Sequence, residues 1–450
     1  MGRLFGTDGV RGIANEELTP ELAFNLGKAG AYVLSHRSEK PLFLIGMDTR
    51  VSGDMLESAI SAGINSVGGD VIRIGVLPTP AIAYLVRYYG ADAGIVISAS
   101  HNPFEYNGIK FFNDKGFKLD DSIEDEIEDL IVRNRDVNNH VIGDKIGRSQ
   151  AADENALELY ARFLESTVDI DLTGKKLVLD CANGAAYKVA EKVYKDLGAN
   201  VVMVGNKPNG RNINEKCGST YPQTLQRKVV EESAFMGLAF DGDADRLIAC
   251  DEKGEIIDGD KLICICASML KKEGKLPGDT VTATVMSNLG FHKYIEAMGC
   301  SVDVTAVGDR YVLEKMRETG CAIGGEQSGH IIFLEHTTTG DGILSSLQVL
   351  KAVLSSGKMA SELAGEIEIF PQVLINAKVS NDNKDKYEND EEVIEKIRQA
   401  EESMAGEGRV LIRPSGTEPL VRVMIEGQDT DKIETLAQDI ASLLTKKFAE

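Results

Sequence analysis

Long hydrophobic runs are missing from this sequence of 450 residues, although hydrophobic residues make up 43% of it. No run approaches the roughly 18 apolar residues that a transmembrane helix needs, so we expect no membrane span and no membrane partner. The first residues, MGRLFGTDGVRG, contain no apolar segment typical of secretory signals. We therefore expect a globular protein in the cytoplasm, and the charged fraction of 27% is ordinary for that class.

Cysteine is scarce, and the seven cysteines are scattered without a CxxC pair. An odd, unpaired set argues against a disulfide framework, and it fits reduced, mostly structural thiols in a cytosol. These residues are Cys181, Cys217, Cys250, Cys264, Cys266, Cys300 and Cys321.

Positive charge is also in short supply. The chain has 49 basic and 71 acidic residues, which gives a formal net charge of −22. Such a surface repels nucleic acid and anionic lipid, so we expect neither as a partner. It also repels small anions at long range, and any phosphate site must therefore be a local cluster of Arg and Lys. No P-loop pattern is present, so a nucleotide is not indicated.

The length of the chain exceeds what one hydrophobic core usually supports, which predicts several domains. Three stretches repeat an apolar strand, a polar or glycine turn, a helix and a second apolar strand. They begin with PLFLIGMDTRVSG, KLVLDCANGAA and TVTATVMSNLG and end with GGDVIRIG, GANVVMVG and GCSVDVTAVG. Crossover helices between buried strands predict three related α/β domains with mixed, largely parallel sheets, built by duplication. One large sheet made of successive units is the alternative.

The last 80 residues follow a different pattern. FPQVLINAKV alternates like a strand, EEVIEKIRQAEESM is typical of a helix, and RVLIRPSGTEPLVRVMIEG predicts two strands around a turn. A final amphipathic helix completes a small α+β domain, and the polar run 380–392 is expected to be a surface loop. We place the four domains at residues 1–153, 154–254, 255–370 and 371–450.

Hydroxyl and imidazole groups crowd the end of one apolar strand in ISASHNPFEYNGIKFF (97–112). Ser100 lies in this loop, which Pro103 stiffens, and a hydroxyl at a strand–loop junction suits a rigidly held nucleophile. Lys110 begins the next apolar run and can return to the same site. By itself, a Ser-x-Ser pair is more often a turn or capping device.

Three carboxylates occupy alternate positions between two apolar runs in GLAFDGDADRLIAC (237–250). Asp241, Asp243 and Asp245 can converge on one hard cation, and without a cation they would raise the pKa values of one another. A calcium EF-hand also begins Asp-x-Asp-x-Asp, but Arg246 stands where that loop needs glycine and the flanks resemble strands. A haloacid dehalogenase box fails because Asp245 replaces Thr or Val, and a solvated acidic turn does not fit the apolar flanks. The pattern therefore predicts a metal site.

A polar loop enters a strand in GGEQSGHIIF (324–333). Glu326, Ser328 and His330 alternate, so their side chains can face one ligand. Such groups suit sugar hydroxyls and proton transfer. A structural histidine at the start of a strand is the alternative.

The segment RPSGTEPLVRV (413–423) contains a turn with a local cluster of positive charge, which a phosphate site in this acidic chain requires. Arg413 and Arg422 flank it on two strands, and its backbone N–H groups and hydroxyls suit an anion. A hairpin turn with incidental arginines is the alternative. Two weaker signals are Arg11, in the glycine-rich loop FGTDGVRG, and DTRVSG (48–53), which we interpret as a helix start with a capping serine.

Taken in order, SASHNP, DGDADR, GGEQSGH and RPSGTEP resemble the phosphoserine, metal, sugar-binding and phosphate-binding loops of the α-D-phosphohexomutase superfamily. The resemblance covers nearly the whole chain and implies three related α/β domains and a smaller fourth. SASHNP, GGEQSGH and KPNGRNINEKCGST (207–220) are most similar to the bacterial branch that acts on glucosamine phosphates. Tyr106 and Tyr221 depart from the family pattern, which commonly has Asp and His there.

The resemblance also implies roles for individual residues. Ser100 would carry the phosphoryl group, and its phosphate would join Asp241, Asp243 and Asp245 around one Mg²⁺. Acid/base or charge-stabilising residues would be Arg11, Lys110, Arg246 and His330. Glu326 and Ser328 would bind sugar hydroxyls, and the phosphate that does not react would be bound by Arg413, Ser415, Gly416, Thr417 and Arg422.

The implied reaction converts a hexosamine 6-phosphate to the 1-phosphate through a 1,6-bisphosphate intermediate, in amino-sugar nucleotide and cell-wall precursor synthesis. Glucose and mannose phosphates remain alternatives, because they share the hydroxyls that the sugar loop would contact. The branch also implies a homodimer. A metal phosphatase and a non-catalytic sugar-phosphate sensor are the rival functions, and the combination of Ser100 with three aspartates disfavours the sensor.

Overall fold

The computed structural model describes residues 4–6, 8–35, 40–133, 141–152, 155–415 and 418–449. The chain forms two compact units, Met1–Met286 with Cys300–Glu366 and Ser287–Gly299 with Ile367–Glu450. Within the described ranges, no helix combines the length and the apolar character needed to cross a membrane.

The first part of the larger unit contains a six-stranded sheet. Its elements are β1 (Val10–Ile13), α1 (Pro20–Leu34), β2 (Leu42–Met47), α2 (Gly53–Ser66), β3 (Asp70–Val76), α3 (Thr79–Tyr89), β4 (Ala93–Ile97), β5 (Tyr106–Asn113), α4 (Asp121–Val132) and β6 (Ser149–Ala151). The strand order is β1-β5-β4-β2-β3-β6. β4, β2, β3 and β6 pair in parallel, whereas β5 is antiparallel to both of its neighbours.

A second sheet follows, with five strands. Its elements are α5 (Ala156–Ser166), β7 (Lys176–Asp180), α6 (Val189–Asp196), β8 (Asn200–Val204), α7 (Gln223–Glu232), β9 (Met236–Phe240), β10 (Leu247–Cys250) and β11 (Ile256–Ile257). The order is β11-β10-β9-β7-β8, with β9, β7 and β8 parallel and the other two strands antiparallel.

A third sheet has four strands. The elements of this part of the chain are α8 (Gly259–Lys272), β12 (Thr280–Thr284), α9 (Leu289–Ala297), β13 (Ser301–Thr305), α10 (Asp309–Thr319), β14 (Ile323–Gly325), β15 (Ile331–Phe333), α11 (Gly342–Ser356) and α12 (Ala360–Gly365). The order is β13-β12-β14-β15, and only the pair β14–β15 is antiparallel.

These three sheets share one pattern of four strands. An antiparallel strand borders three parallel strands in β5-β4-β2-β3, in β10-β9-β7-β8 and in β15-β14-β12-β13. The prediction of three related α/β units from the repeated strand–helix–strand stretches is therefore confirmed. Each predicted crossover pair, β2 with β3, β7 with β8 and β12 with β13, is parallel.

The smaller unit contains α9 and the C-terminal elements β16 (Gln372–Lys378), α13 (Glu391–Ser403), β17 (Gly408–Pro414), β18 (Leu420–Gly427) and α14 (Thr430–Phe448). Its three strands are antiparallel in the order β16-β18-β17. The predicted α+β arrangement is confirmed, and the polar run 380–392 contains two short 3₁₀ turns before α13 begins. Glu426 is fully buried and accepts bonds from Asn288 and Arg409, which ties α9 to this sheet.

Side-chain caps fix where several helices begin. Asp258 accepts from the Lys261 N–H at the start of α8, and Asp341 accepts from the Leu344 N–H at the start of α11. The first residues of these helices contact loops of the larger unit: Gly259 N–H donates to the Gln327 carbonyl at 3.0 Å, and Gly342 N–H donates to the Ala244 carbonyl at 2.9 Å. The two helix starts therefore hold the loops that contain the predicted sugar and metal residues.

Candidate active site

Three of the predicted loops occupy the same position in the three repeated sheets. Each connects the last parallel strand to the antiparallel strand: Ser100 lies between β4 and β5, the three aspartates lie between β9 and β10, and residues 326–330 of GGEQSGH lie between β14 and β15. This shared position brings the phosphoserine, metal and sugar loops of the predicted site together. Hydrogen bonds and ion pairs between side chains of all three loops show it.

Ser100 is almost completely buried, with 1% of its surface exposed. Its Oγ donates to Oδ2 of Asp241 at 2.5 Å, which joins the first loop to the second. The backbone of Ser100 is left-handed, with φ +50°, which is uncommon for a residue with a Cβ. The loop thus holds the serine in an unusual conformation that aims its hydroxyl at the aspartates.

Asp241, Asp243 and Asp245 converge as the sequence predicted. One carboxylate oxygen of each lies within 4.8 Å of the others, and all three residues are buried. The three aspartates lie between the antiparallel strands β9 and β10, as expected, and not between the two helices of an EF-hand. Glu252, the twelfth residue counted from Asp241, instead binds Ser361.

Electrostatics distinguish the members of this triad. Burial and the negative charges of Asp245 and Asp243 raise the pKa of Asp241 well above its usual value. Burial would raise the pKa of Asp245 as well, but its neighbours, chiefly His330 and Lys110, hold that pKa well below its usual value. A divalent cation beside the three carboxylates would lower the pKa of Asp241 and allow all of them to ionise.

The donor atoms fit such a cation. The Oδ1 atoms of Asp243 and Asp245 are buried, and neither has a hydrogen-bond partner among the described residues. Buried carboxylate oxygens without a donor are costly unless a cation or water binds them. Hard oxygen ligands of this kind suit Mg²⁺, which is bound through a few carboxylates together with phosphate oxygens.

Two cationic side chains accompany the triad. Lys110 Nζ lies 3.1 Å from Oδ2 of Asp243 and 4.0 Å from Oδ2 of Asp245, and its side chain is 2% exposed. Burial alone would lower the pKa of Lys110, but these two carboxylates outweigh it, and the net pKa is raised. Arg246, on the same hairpin, lies 3.9 Å from Asp245. Lys110 therefore stays charged next to the metal loop, as its place ten residues after Ser100 suggested.

His330 brings the third loop to the triad. Its Nδ1 lies 3.6 Å from Oδ2 of Asp245, and its Nε2 accepts the Gly340 N–H at 3.0 Å. A Cβ on residue 340 would lie 2.6 Å from the ring, so glycine permits this close approach. Because Nε2 accepts the Gly340 N–H, a neutral His330 ring carries its proton on Nδ1, which faces Asp245.

Glu326 and Ser328 lie apart from this buried contact. Ser328 is exposed and Glu326 is half-buried, and their side chains approach each other to 3.5 Å. Glu326 also accepts the Gly308 N–H at 3.1 Å. The alternating spacing therefore places Ser328 and Glu326 at the surface of the loop, where a ligand can reach them, while His330 turns inward.

Arg11 belongs to a second charged cluster. It lies on strand β1, opposite Gly108, and not in a glycine-rich loop as expected from the sequence. The Arg11 guanidinium lies 3.2 Å from the carboxylate of Asp8. The ammonium group of Lys118 lies between two carboxylates, 3.1 Å from that of Asp8 and 2.5 Å from that of Asp309. Asp309 is in turn 3.6 Å from Nε2 of His330. This cluster connects the N-terminal strand with the start of α10.

Sequence reasoning missed several polar residues that contact these loops. Thr79, the first residue of α3, donates its hydroxyl to Oδ2 of Asp243 at 2.7 Å and its N–H to the Asp243 carbonyl at 2.9 Å. Arg50 and Asn214 contact the backbone of the Ser100 loop. Thr79 has no signal in the sequence, whereas Arg50 follows a buried strand whose carboxyl end neighbours that of β4.

The interpretation of DTRVSG as a helix start with a capping serine was wrong in one respect. Ser52 stands at the start of α2, but its side chain makes no capping bond to the described part of that helix. Its Oγ instead accepts from the side chain of Asn107 at 2.8 Å. The serine therefore joins α2 to the strand that follows the Ser100 loop.

The predicted phosphate loop lies in the smaller unit, on the hairpin of β17 and β18. Arg413 and Arg422 lie on the two strands of this hairpin, as predicted, and the register places them directly opposite each other. Partial burial and the charge of Arg422 lower the pKa of Arg413. Ser415 is buried, and its Oγ accepts the Glu418 N–H at 3.2 Å. Gly416 and Thr417 lie outside the described residues.

Comparison with known proteins places these loops in a family. Four descriptions of the phosphoglucomutase/phosphomannomutase family match in order: alpha/beta/alpha domains I, II and III at residues 2–138, 158–254 and 258–370, and the C-terminal domain at residues 374–443. Phosphoglucosamine mutase from Acetivibrio thermocellus is 56% identical over 449 residues, and the alignment covers 100% of this chain and 100% of that protein.

Solved structures show the same fold. A phosphoglucomutase/phosphomannomutase family protein from Burkholderia thailandensis superposes with a TM-score of 0.81 at 25% identity, over 100% of this chain and 98% of that one. N-acetylphosphoglucosamine mutase from Aspergillus fumigatus, in complex with GlcNAc-6P and magnesium, gives a TM-score of 0.64 at 20% identity over 86% of this chain and 93% of that one. The chain therefore belongs to the phosphoglucomutase/phosphomannomutase family and, within it, to the phosphoglucosamine mutases.

Proposed function

We propose that this protein interconverts glucosamine 6-phosphate and glucosamine 1-phosphate, and that Ser100 carries the phosphoryl group between them. The observation that carries the proposal is the buried Ser100 hydroxyl, 2.5 Å from Asp241 in a cluster of three carboxylates. Its relatives at 56% identity support glucosamine as the sugar. The enzyme is an isomerase that moves a phosphoryl group within one sugar.

Magnesium is the cation that we propose for the aspartate triad. Asp241, Asp243 and Asp245 would bind one Mg²⁺ together with an oxygen of the phosphorylated Ser100. When bound, the ion neutralises negative charge on the transferring phosphoryl group. The unpartnered Oδ1 atoms of Asp243 and Asp245 support this assignment, as does the magnesium complex of the Aspergillus fumigatus enzyme.

In the forward reaction the bond from phosphorus to Ser100 Oγ breaks and a bond to the C1 hydroxyl oxygen of glucosamine 6-phosphate forms, while the proton of that hydroxyl passes to the freed Ser100 Oγ. The resulting 1,6-bisphosphate turns around and returns its other phosphoryl group to Ser100. Lys110 and Arg246 stabilise the charge on the transferring oxygens, because both lie beside the aspartates and both have raised pKa values against the effect of burial. Arg11 adds a further positive charge on the neighbouring strand.

His330 has a different role in this proposal. Its Nδ1 faces Asp245 and its Nε2 accepts the Gly340 N–H, so both ring nitrogens have partners. The main role of His330 is therefore to orient Asp245 as a metal ligand, and proton exchange is secondary. Glu326 and Ser328 bind the sugar hydroxyls from the accessible side of the same loop. The substrate phosphate that does not react is bound by Arg413, Ser415, Gly416, Thr417 and Arg422, and the cross-strand pair of arginines supports this assignment.

The test of the proposal is Ser100→Ala, compared with Ser58→Ala. Ser58 is an exposed residue of α2 whose hydroxyl bonds only to the Asp54 carbonyl among the described atoms. Mass spectrometry of the intact protein should show one phosphoryl group on the wild type and on Ser58→Ala, and none on Ser100→Ala. Turnover of glucosamine 6-phosphate should nearly vanish only in Ser100→Ala, because the covalent route is lost. A fully active Ser100→Ala enzyme would end the proposal.

Two further measurements complete this test. Free phosphate should stay far below the amount of sugar phosphate converted, whereas a metal phosphatase would release phosphate in step with substrate loss. The rates for glucosamine, glucose and mannose 6-phosphates should be measured in parallel. Glucosamine 6-phosphate should have the highest kcat/KM. A higher value for mannose or glucose 6-phosphate would show that the proposed sugar is wrong, but it would not contradict phosphoryl transfer through Ser100.

A further inference from the structure

Two side chains, from loops that follow strands of two different sheets, bind the same pair of backbone carbonyls in the Ser100 loop. Arg50 Nη2 donates to the carbonyl oxygens of Ser100 at 3.0 Å and Asn102 at 2.8 Å. Asn214 Nδ2 donates to the same two oxygens, at 2.9 and 3.1 Å. The two ends of this short loop are therefore held together from both sides.

Arg50 is itself fixed by a buried carboxylate. Its side chain is 0% exposed, and its Nε lies 3.4 Å from Oδ2 of Asp48. The same oxygen accepts the hydroxyl of Ser98 at 2.5 Å, and that hydroxyl accepts the N–H of Ser100 at 3.0 Å. The N–H and the carbonyl of Ser100 are thus both connected to one buried Arg–Asp pair, and three hydrogen bonds together with the Arg50–Asp48 ion pair form a ring around the serine backbone.

The backbone held by these contacts has an energetically unfavourable conformation at two residues. Ser100 has φ +50° and Asn214 has φ +59°, both in the left-handed region. The metal loop also packs against the Ser100 carbonyl, because a Cβ on Gly242 would lie 2.4 Å from that oxygen. The carbonyl of Ser100 is therefore fixed by the first sheet through Arg50 and by the second sheet through Asn214 and Gly242.

We propose that Arg50 and Asn214 are positioning residues that fix the backbone of Ser100 in line for phosphoryl transfer. Neither needs to touch the substrate; both act through the two carbonyl oxygens that they share. The inference rests on the proposed function, since it assumes that Ser100 carries the phosphoryl group. Displacement of a reacting atom by about 1 Å is enough to slow transfer by about 100-fold.

Asn214→Asp is the sharpest variant. Aspartate keeps the shape of the side chain and tolerates a left-handed backbone, but it replaces both N–H bonds by a repulsive carboxylate oxygen. The matched control is Asn212→Asp in the same loop. Asn212 Nδ2 donates to the Lys207 carbonyl at 3.0 Å, and its Oδ1 accepts the Asn209 N–H at 2.9 Å, so both bonds stay within its own loop.

The transfer step is measured directly by mixing phosphorylated enzyme with glucosamine 6-phosphate and following loss of phosphoserine in a single turnover. We expect Asn214→Asp and Arg50→Lys each to slow this step by about 10- to 100-fold, with KM for the sugar phosphate and magnesium affinity close to those of the wild type. The double variant should lose less than the product of the two separate losses, because both residues hold the same carbonyls. Asn212→Asp should transfer at the wild-type rate.

A merely structural role would lower the melting temperature and leave the transfer rate of the folded fraction unchanged, and that result would overturn the inference. A rise in KM with an unchanged transfer rate would overturn it too, because it would make these residues substrate ligands. Measuring Ser100→Ala in parallel distinguishes failure of this inference from failure of the proposed function. If Ser100→Ala is inactive while Asn214→Asp transfers normally, only this inference fails; if Ser100→Ala is active, the proposed function fails.

Discussion

Thr79 offers a prediction that depends on a single buried hydroxyl. Thr79 is 1% exposed, and it bonds Asp243 twice, through its side chain at 2.7 Å and through its N–H at 2.9 Å to the carbonyl. The hydroxyl holds Oδ2 of Asp243, which leaves Oδ1 free for a cation. Thr79→Val removes only the hydroxyl bond, because valine has nearly the same shape and keeps the backbone bond. We expect this variant to bind magnesium more weakly.

The size of the effect follows from the contacts of Asp243. A buried hydrogen bond to a charged group contributes about 1.5–3 kcal/mol. Lys110 also donates to Oδ2, at 3.1 Å, so the carboxylate keeps one partner and the lower end of that range applies. A loss of about 1.4 kcal/mol is a tenfold change in an equilibrium constant. Magnesium affinity should therefore fall about tenfold, at the lower limit of what is found when a partner of a metal ligand is removed.

The measurement is a magnesium titration of chelator-treated enzyme, followed by turnover and independently by the rise in melting temperature. Thr79→Ser is the control, since it keeps the hydroxyl and loses only a methyl group. Its magnesium affinity should stay near that of the wild type. If Thr79→Val binds magnesium as tightly as Thr79→Ser, or more tightly, then the hydroxyl does not orient Asp243 and the reasoning is refuted.

Three other predictions follow from the same structure. Chelation should stop turnover and magnesium should restore it, and Asp243→Asn should weaken both metal binding and transfer; full activity in chelator would assign the triad another purpose. Arg422→Ala should lower kcat/KM by about 10- to 100-fold with Ser100 still phosphorylated, because one charged bond to phosphate is lost; unchanged steady-state kinetics would make the loop only a turn. Burial raises the pKa of Asp341 to about 6, so the folded state holds a proton that the unfolded chain releases near pH 4. The free energy of unfolding should therefore fall by up to about 3 kcal/mol as the pH rises from about 4 to about 6, and urea titrations of Asp341→Asn should show a flatter dependence. An equal slope in both proteins would contradict this.

Much of the candidate site could be predicted because its residues follow strands. The alternating aspartates lie between two apolar runs, and a tight hairpin is enough to bring Asp241, Asp243 and Asp245 together. Ser100 lies in the loop that leads from β4 to β5, and Lys110 lies on β5. In each case the chemistry and its position come from one local segment of sequence.

Contacts between segments far apart in the chain could not be predicted in the same way. Thr79 is a single polar residue without a sequence signal, and Asn214 lies in the motif 207–220, which the sequence does not connect with Ser100; their partners are 164 and 114 residues away. Arg11 was expected in a loop because glycines surround it, yet pairing with β5 makes it part of a strand. Ser52 has the sequence of a capping residue, but a side-chain amide from β5 competes for its hydroxyl. The four domain boundaries and the roles of single site residues stay predictions.

The common position of the three loops has a consequence for how this catalyst arose. An ancestor with one such sheet would have presented the same loop in every copy, so assembled copies could offer only identical groups. Three copies joined in one chain would allow each loop to change without altering the other two. The loops of the proposed nucleophile, cation ligands and sugar contacts are accordingly separate in sequence, although the sheets beneath them share the same strand order. Exchange of a single loop between family members would therefore alter one of these contributions at a time.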